Sequence, residues 1–378
     1  MAKKMYIGID NKARRVKKAY IGVDNKARKI KKMYMGVDNV ARCIFSGGEL
    51  SYYGKATSLS APRDRGAGAS TGKHALLVAG YSNGSSYVPV STIEAYRDDL
   101  TKVSVSGYGY ACYDLAGISI DGYAVFAGGS TSYNSPISYA VAYNNSFTIS
   151  GMESLFSARS KPAAATVGNY ILFAGGSDSS VRPTSYVDVY DKSLTKQSYK
   201  HLSVARHGIA GMNVGNYALF AGGISVPDDS AVYTATVDAF DTSLTRTTAT
   251  ALSGARNVPS ASKTDKYAIF AGGCPSGSTY SDAVDVYNAS LTRSSPTSKL
   301  SYARAYMGTA SLGDNAIFAG GSNSYRSDVD IYDGSLTRRI GTPLSVGRYY
   351  IMAANAGDYA IFAGGTHNQS AVDVYQLS

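Results

Sequence analysis

The sequence predicts an all-β chain of seven four-stranded units closed into a ring, preceded by a short run of β-hairpins. Three observations carry this. An apolar phrase that is glycine-paired in all but its first copy recurs seven times at steps of 44–50 residues. A 14-residue phrase is spoken three times in tandem at the start. The composition, with 40 Gly, 32 Tyr and no Trp in 378 residues, suits strands and tight turns better than helices.

The opening segment comes first. Residues 5–46 read MYIGIDNKARRVKK, AYIGVDNKARKIKK and MYMGVDNVARCIFS. Each repeat has an extended YIGV-like part, a turn-prone Asp-Asn and a basic arm, the pattern of a hairpin. An isolated hairpin is marginal in water. The three are therefore expected to form a six-stranded meander or to pair with copies from neighbouring chains. A disordered basic tail is the alternative. The even spacing of Tyr6, Ile7, Ile9 and Val16 and their counterparts opposes it. Of the 37 Lys and Arg, 13 lie in residues 1–48, against three Asp. Twenty-four residues of each sign remain, so the whole net charge of +10 sits in this segment. With one Tyr per repeat and no nucleic-acid motif, nucleic acid is an unlikely partner. An acidic protein surface is the favoured one, through Tyr6, Arg14, Tyr20, Arg28, Tyr34 and Arg42. Salt would weaken that attraction, since screening acts over about 8 Å at physiological ionic strength.

The longer repeat defines residues 49–378. Its phrase appears at 74–81, 123–129, 170–176, 217–223, 267–273, 315–321 and 359–365, as in YALFAGG. Eleven residues earlier stands an arginine: Arg63, Arg159, Arg206, Arg256, Arg304 and Arg348, with Cys112 in unit 2. A VDVYDxSLTR-like phrase follows each glycine pair. Each unit thus reads as four strands. Strand A is small and apolar, as at 208–214. Strand B is the near-continuous apolar phrase, suited to burial on both faces. Strand C, VDVYD, alternates as a half-buried strand does. Strand D follows the SLTR turn. Glycine pairs end strand B where the backbone needs positive φ. A period near 50 with four strands per unit is that of a propeller blade.

The double glycine, the strand C tyrosine and the arginine opening strand A resemble the kelch repeat over roughly residues 49–378. That resemblance implies a seven-bladed kelch-like β-propeller. The sequence departs from the pattern in lacking the strand D tryptophan, and the SLT leucines are expected to fill part of its place. The last unit ends at strand C, VDVYQLS (372–378), without a strand D. The stretch ELSYYGKATSLSAPR (49–63) matches the outline of GSLTRRIGTPLSVGR (334–348). Residues near 49–58 are therefore expected to supply the outer strand of blade 7 and cover its edge. The 14-residue repeats in turn resemble N-terminal segments of structural proteins from phages and prophages of Gram-positive bacteria. This implies attachment through residues 1–48 to other proteins of a virion or tail-like particle, after synthesis in the bacterial cytoplasm.

Chemistry was sought next. His74, His201, His207 and His367 show no metal-ligand spacing, and no GxSxG, HExxH or P-loop occurs. No cofactor, metal or catalytic residue is expected. Cys43, Cys112 and Cys274 form no CxxC and fit a reducing compartment. No apolar run reaches the ~18 residues of a membrane span. The arginines are read as structural ion-pair partners rather than an anion-binding ring. Six units carry an acid in strand C: Glu94, Asp188, Asp238, Asp285, Asp330 and Asp373. Unit 2 has Val141 there, and the same unit has lost its arginine to Cys112. A buried charge without its partner costs about 3–5 kcal/mol, so a pair is lost together or not at all.

Recognition is expected on the D–A and B–C loops, which share one face. Two residues after each arginine position stand Arg65, Asp114, Lys161, Gly208, Val258, Tyr306 and Tyr350. The B–C loops add Tyr81, Tyr133, Asp178, Tyr280, Tyr325 and His367. Tyrosine offers a rigid face with a polar tip, suited to glycans and protein partners. Together these features lead to the expectation of a non-enzymatic phage or tail-like particle protein that binds a host-surface receptor or another virion protein. A cellular kelch-like interaction or glycan-binding protein and a glycan-active propeller enzyme stand as alternatives.

Overall fold

The computed structural model describes residues 49–82 and 87–377 with their side chains, and the backbone alone for Asn83 and for six strands within residues 6–46. Those six form three antiparallel hairpins: Tyr6–Ile9 with Lys12–Arg15, Ala19–Val23 with Lys26–Ile30, and Lys32–Val37 with Val40–Ser46. Each is a separate two-stranded ladder rather than part of a six-stranded meander. The register Ile9↔Lys12 leaves a two-residue link, so each repeat's own second half is the partner with the least loop entropy to lose. The side chains of Tyr6, Arg14, Tyr20, Arg28, Tyr34 and Arg42 lie outside the described residues.

The rest is a seven-bladed β-propeller. In blade 4 strands A to D run Ala210–Val214, Tyr217–Ala221, Val237–Asp241 and Arg246–Ala249, paired in that order. Blades 2, 3, 5 and 6 repeat the plan. In blade 1 the B strand His74–Asn83 pairs with both Ala67–Ser70 and a short extra strand, Arg63–Asp64. Blade 7 takes its outer strand from the other end of the chain: Leu50–Lys55 pairs with Val372–Leu377. Neighbouring A strands pack around a central channel, that of blade 7 against that of blade 1.

Seven apolar cores hold the ring, one between each pair of neighbouring blades. Strand B assigns its residues to them by period-two alternation. In blade 2, Ala124 and Phe126 face blade 1 while Val125 and Ala127 face blade 3. In six blades the strand B phenylalanine meets the strand C aromatic edge-on, with centroids 5.8–6.2 Å apart. The turn leucines Leu100, Leu194, Leu244, Leu291 and Leu336, with Phe147 in blade 2, pack partly buried against these cores. Strand C departs from the half-buried expectation. Val187–Tyr190 and Val372–Tyr375 are buried throughout, because blades cover both faces of each other's sheets.

The buried charges sit inside this apolar frame. Arg159, Arg206, Arg256, Arg304 and Arg348 each place Nη2 2.6–2.7 Å from the strand C aspartate of their own blade. Arg63 Nη1 does the same to Glu94 at 2.6 Å. Each guanidinium also donates to the strand B carbonyl 14 residues on. The acid's remaining valence goes to a backbone amide before the arginine and to a cation on or just before strand D in blades 1 and 3–6: Lys102, Lys196, Arg246, Arg293 or Arg338. Among the described residues no such cation reaches the acid of blade 7. There Tyr52 of the closing strand donates its hydroxyl to Asp373 at 2.7 Å. Burial alone would lift the Glu94 carboxyl, but Arg63, the Ser60 amide and Lys102 hold it below the usual range.

The arginine backbone serves the preceding blade. Its carbonyl accepts the amide of that blade's second glycine, for example Gly176 to Arg206 and Gly273 to Arg304. The first glycine lies so close to the same carbonyl that a Cβ on Gly128 would stand 2.7 Å from Arg159 O. Blade 1, which meets Cys112 instead of an arginine, has Ala79 at that position with φ 56°. Ala79, Cys112 and Val141 share one apolar cluster, so this joint has exchanged its charges for packing.

Two outcomes test this frame. Asp285→Val leaves Arg256 buried and unpaired and should cost about 3–5 kcal/mol in urea unfolding. Adding Arg256→Cys copies blade 2 and should restore part of that loss; a double variant less stable than the single one would refute the pairing energetics. Separately, a chain of residues 49–378 should melt as the full chain does. A chain of residues 57–378 lacks the closing strand and Tyr52 and should lose the cooperative transition.

Candidate functional site: the channel mouth

The seven D–A linkers converge at one end of the channel. Arg65, Asp114, Lys161, Gly208, Val258, Tyr306 and Tyr350 all take left-handed backbone, with φ between 44° and 63°. For the six that are not glycine this costs roughly 1–2 kcal/mol each. What the strain gains is visible in the amides. Asp114 N donates to Arg65 O at 2.8 Å, Lys161 N to Asp114 O at 2.7 Å and Val258 N to Gly208 O at 2.7 Å. Tyr350 N reaches Tyr306 O at 3.1 Å and Arg65 N reaches Tyr350 O at 3.4 Å. Backbone hydrogen bonds therefore join five of the seven neighbouring linker pairs, including the pair at the seam where the ring closes. The cavity inside the linkers has a volume of about 430 Å³.

The wall of this mouth has two chemistries. On the side of blades 1–4 stand Arg65, Asp114, Lys161 and His207. Lys161 Nζ lies 3.8 Å from Asp114 Oδ2. Burial pushes the Asp114 carboxyl up, and Lys161 and Arg65 draw it back towards ionisation. Burial, with Lys161 adding repulsion, lowers His207 to about 4, so its ring is neutral at pH 7. On the side of blades 6 and 7 stand Tyr306, Tyr349 and Tyr350, with ring centroids 4.5–6.2 Å apart. Tyr325 stacks on Tyr349 at 5.6 Å and meets His367 edge-on at 3.7 Å. The Arg65 guanidinium lies 4.6 Å from the Tyr350 ring centroid and joins the two sides by a cation–π contact.

Of the residues singled out in the sequence, Arg65, Asp114, Lys161, Tyr306 and Tyr350 line the mouth, and Tyr325 and His367 flank it. Tyr133 stands apart at 81% exposure. Tyr81 instead meets Tyr113 and Tyr87. Asp178 closes its own loop by accepting the amides of Ser180 and Arg182. Sequence reading missed Tyr349 and Asn257 and left His207 out of the binding residues; all three follow an arginine directly. It also missed a ring deeper in the channel. Seven residues after each arginine position come Ser70, Ser119, Thr166, Asn213, Lys263, Ser311 and Asn355, all polar and all lining a second cavity of about 290 Å³. Between mouth and ring lie Gly68, Gly117, Ala164, Gly211, Ala261, Thr309 and Ala353. A Cβ on Gly68 would overlap the Ala353 carbonyl, and one on Gly211 the Ala164 carbonyl.

Among the described residues no three His, Cys, Asp or Glu side chains gather in a way that could hold a metal ion. Comparison with models of known protein families and with curated proteins gives no match.

The neutrality of His207 has a measurable sign. Its folded value lies below the unfolded ~6.5, so its contribution to stability is complete above pH ~6.5 and is lost as pH falls towards 4. An NMR titration of the imidazole should show a midpoint near 4; a midpoint near 6.5 would place the ring in solvent.

Proposed function

We propose that the propeller is a binding head that works without turnover, and that its site is the channel-mouth face. The observation that carries this is the two-sided mouth, where a tyrosine platform and an Arg–Asp–Lys arc meet around one opening. Stacked tyrosines present flat apolar faces with hydroxyl tips, which suit a saccharide ring and its hydroxyls. The charged arc adds fixed donors and an acceptor that orient it. The left-handed turns support the same reading, since strained backbone of this kind collects at ligand sites. On this reading the ligand is a host-surface glycan, and a protein partner of the particle is the other candidate for the same face.

We further propose that residues 1–48 dock the chain on a phage or phage tail-like particle. The support is the concentration of the whole net charge in residues 1–48, which carry three tandem hairpins and lead into a neutral propeller, together with the resemblance of those repeats to phage structural segments. A basic device and a neutral head divide attachment from recognition.

The test is a glycan panel read for both binding and product release. The full chain should bind and release nothing. Tyr349→Ala and Tyr325→Ala should each weaken binding about tenfold, in line with the ~0.5–1.5 kcal/mol of an aromatic pair. Turnover of a bound glycan would replace the binding role with an enzymatic one. Deleting residues 1–46 should abolish particle incorporation and leave glycan binding unchanged; a truncated chain that still incorporates would remove the docking role.

A further inference from the structure

The polar ring at the far half of the channel has no part in the proposal above. Its composition is one-sided. Seven blades contribute one hydrogen-bonding side chain each, and among the described residues the walls of the cavity hold one charged group, Lys263. Lys263 Nζ donates to Asn213 Oδ1 at 2.9 Å. The Asp265 carboxylate, two residues on, favours the charged form of the ammonium. Burial lowers the lysine below its ordinary value and outweighs the attraction of Asp265, as desolvation disfavours a charged group.

The rest of the ring is built and aimed. Ser119 Oγ accepts the Ser70 amide at 2.8 Å, which leaves its proton free to donate. Ser311 Oγ accepts the Lys263 amide at 3.0 Å and stands 3.0 Å from Ser262 Oγ. Asn355 Nδ2 donates to the Ser311 carbonyl at 2.6 Å. These contacts run between neighbouring blades, so they fix the side chains around the channel axis before any ligand arrives. Asn213 spends its carbonyl oxygen on Lys263 and keeps its amide group to donate. One cation and several neutral donors thus line a single cavity on the channel axis.

We propose that this ring is a seat for a small tetrahedral oxyanion of the phosphate type, held on the channel axis by Lys263 with Asn213 and Ser119 as neutral donors. A phosphate presents acceptor oxygens in every direction, which matches donors spread around a ring, and adds negative charge beside the buried Lys263 ammonium. The cavity of about 290 Å³ leaves room for the ion and its remaining water. The seat lies beyond the small-residue waist, so it fills independently of the mouth.

The test uses the full chain and inorganic phosphate, against sodium chloride at matched ionic strength. Phosphate should raise the melting temperature beyond the chloride control. Lys263→Met should bind phosphate about tenfold more weakly, the scale of a hydrogen bond to a charged group, while Lys263→Arg retains binding. In the unaltered chain carrying 15N-lysine, phosphate should raise the Lys263 titration midpoint. That measurement decides the matter even if the methionine variant does not fold. A phosphate effect no larger than that of chloride, an effect that survives Lys263→Met, or a lysine midpoint that phosphate does not move would each overturn the seat.

Discussion

The buried ion pair between a D–A linker arginine and a strand C acid is the constraint on which the ring depends. Each arginine has two attachments of different kinds. Its side chain is tied to the acid of its own blade, and its carbonyl is tied to a glycine amide of the preceding blade. The linker is therefore pinned at both ends of one residue, and the two residues that follow have a fixed starting direction. The left-handed turn at the channel mouth, and hence the placing of Arg65, Lys161 and Tyr350, goes with the carbonyl tie, since Asp114 takes the same turn after Cys112, which keeps that tie without an ion pair. A buried pair of this sort contributes little to stability when compared with apolar packing. Its effect here is geometric, and blade 2 shows the difference. Cys112 and Val141 replace the pair and the joint still closes, with Cys112 O accepting the Gly80 amide.

Each acid is answered from inside and outside its sheet, by the arginine and by a strand D cation. Blade 7 meets the same demand with the hydroxyl of Tyr52, because its outer strand comes from a different part of the chain and carries a different sequence. Asp373 hydrogen bonds to Tyr52, to the Ser345 amide and hydroxyl and to Arg348. The seam is thus chemically complete despite being assembled from the two ends of the domain.

Much of the architecture was legible in the sequence. The glycine pairs, the arginine eleven residues before each phrase and the joint loss at Cys112 and Val141 specify blades, period and partners. The mouth was legible as an offset from the arginine, because every unit shares the offset even where residue types differ. What sequence reading could not supply was adjacency. Tyr350 and Arg65 lie at opposite ends of the repeat array and touch only because the ring closes. Tyr349 escaped notice because its equivalents, among them Asp64, Ser160 and Ala305, share no chemistry. The polar ring escaped for the same reason, since Ser, Thr, Asn and Lys at one offset look unrelated until a channel gathers them. Strand C misled by its alternating letters. Its polar members, Asp188 and Asp330, are fully buried, so alternation there marks two buried faces of different polarity.

The closing strand has a mechanical consequence. Leu50–Lys55 follows the basic hairpins directly in the chain, and it is held to blade 7 by its ladder to Val372–Leu377 and the Tyr52 contact. Any tension carried by residues 1–48 therefore loads this strand before it reaches any other part of the ring. A pull passed along the backbone acts there along or across a single short ladder of blade 7.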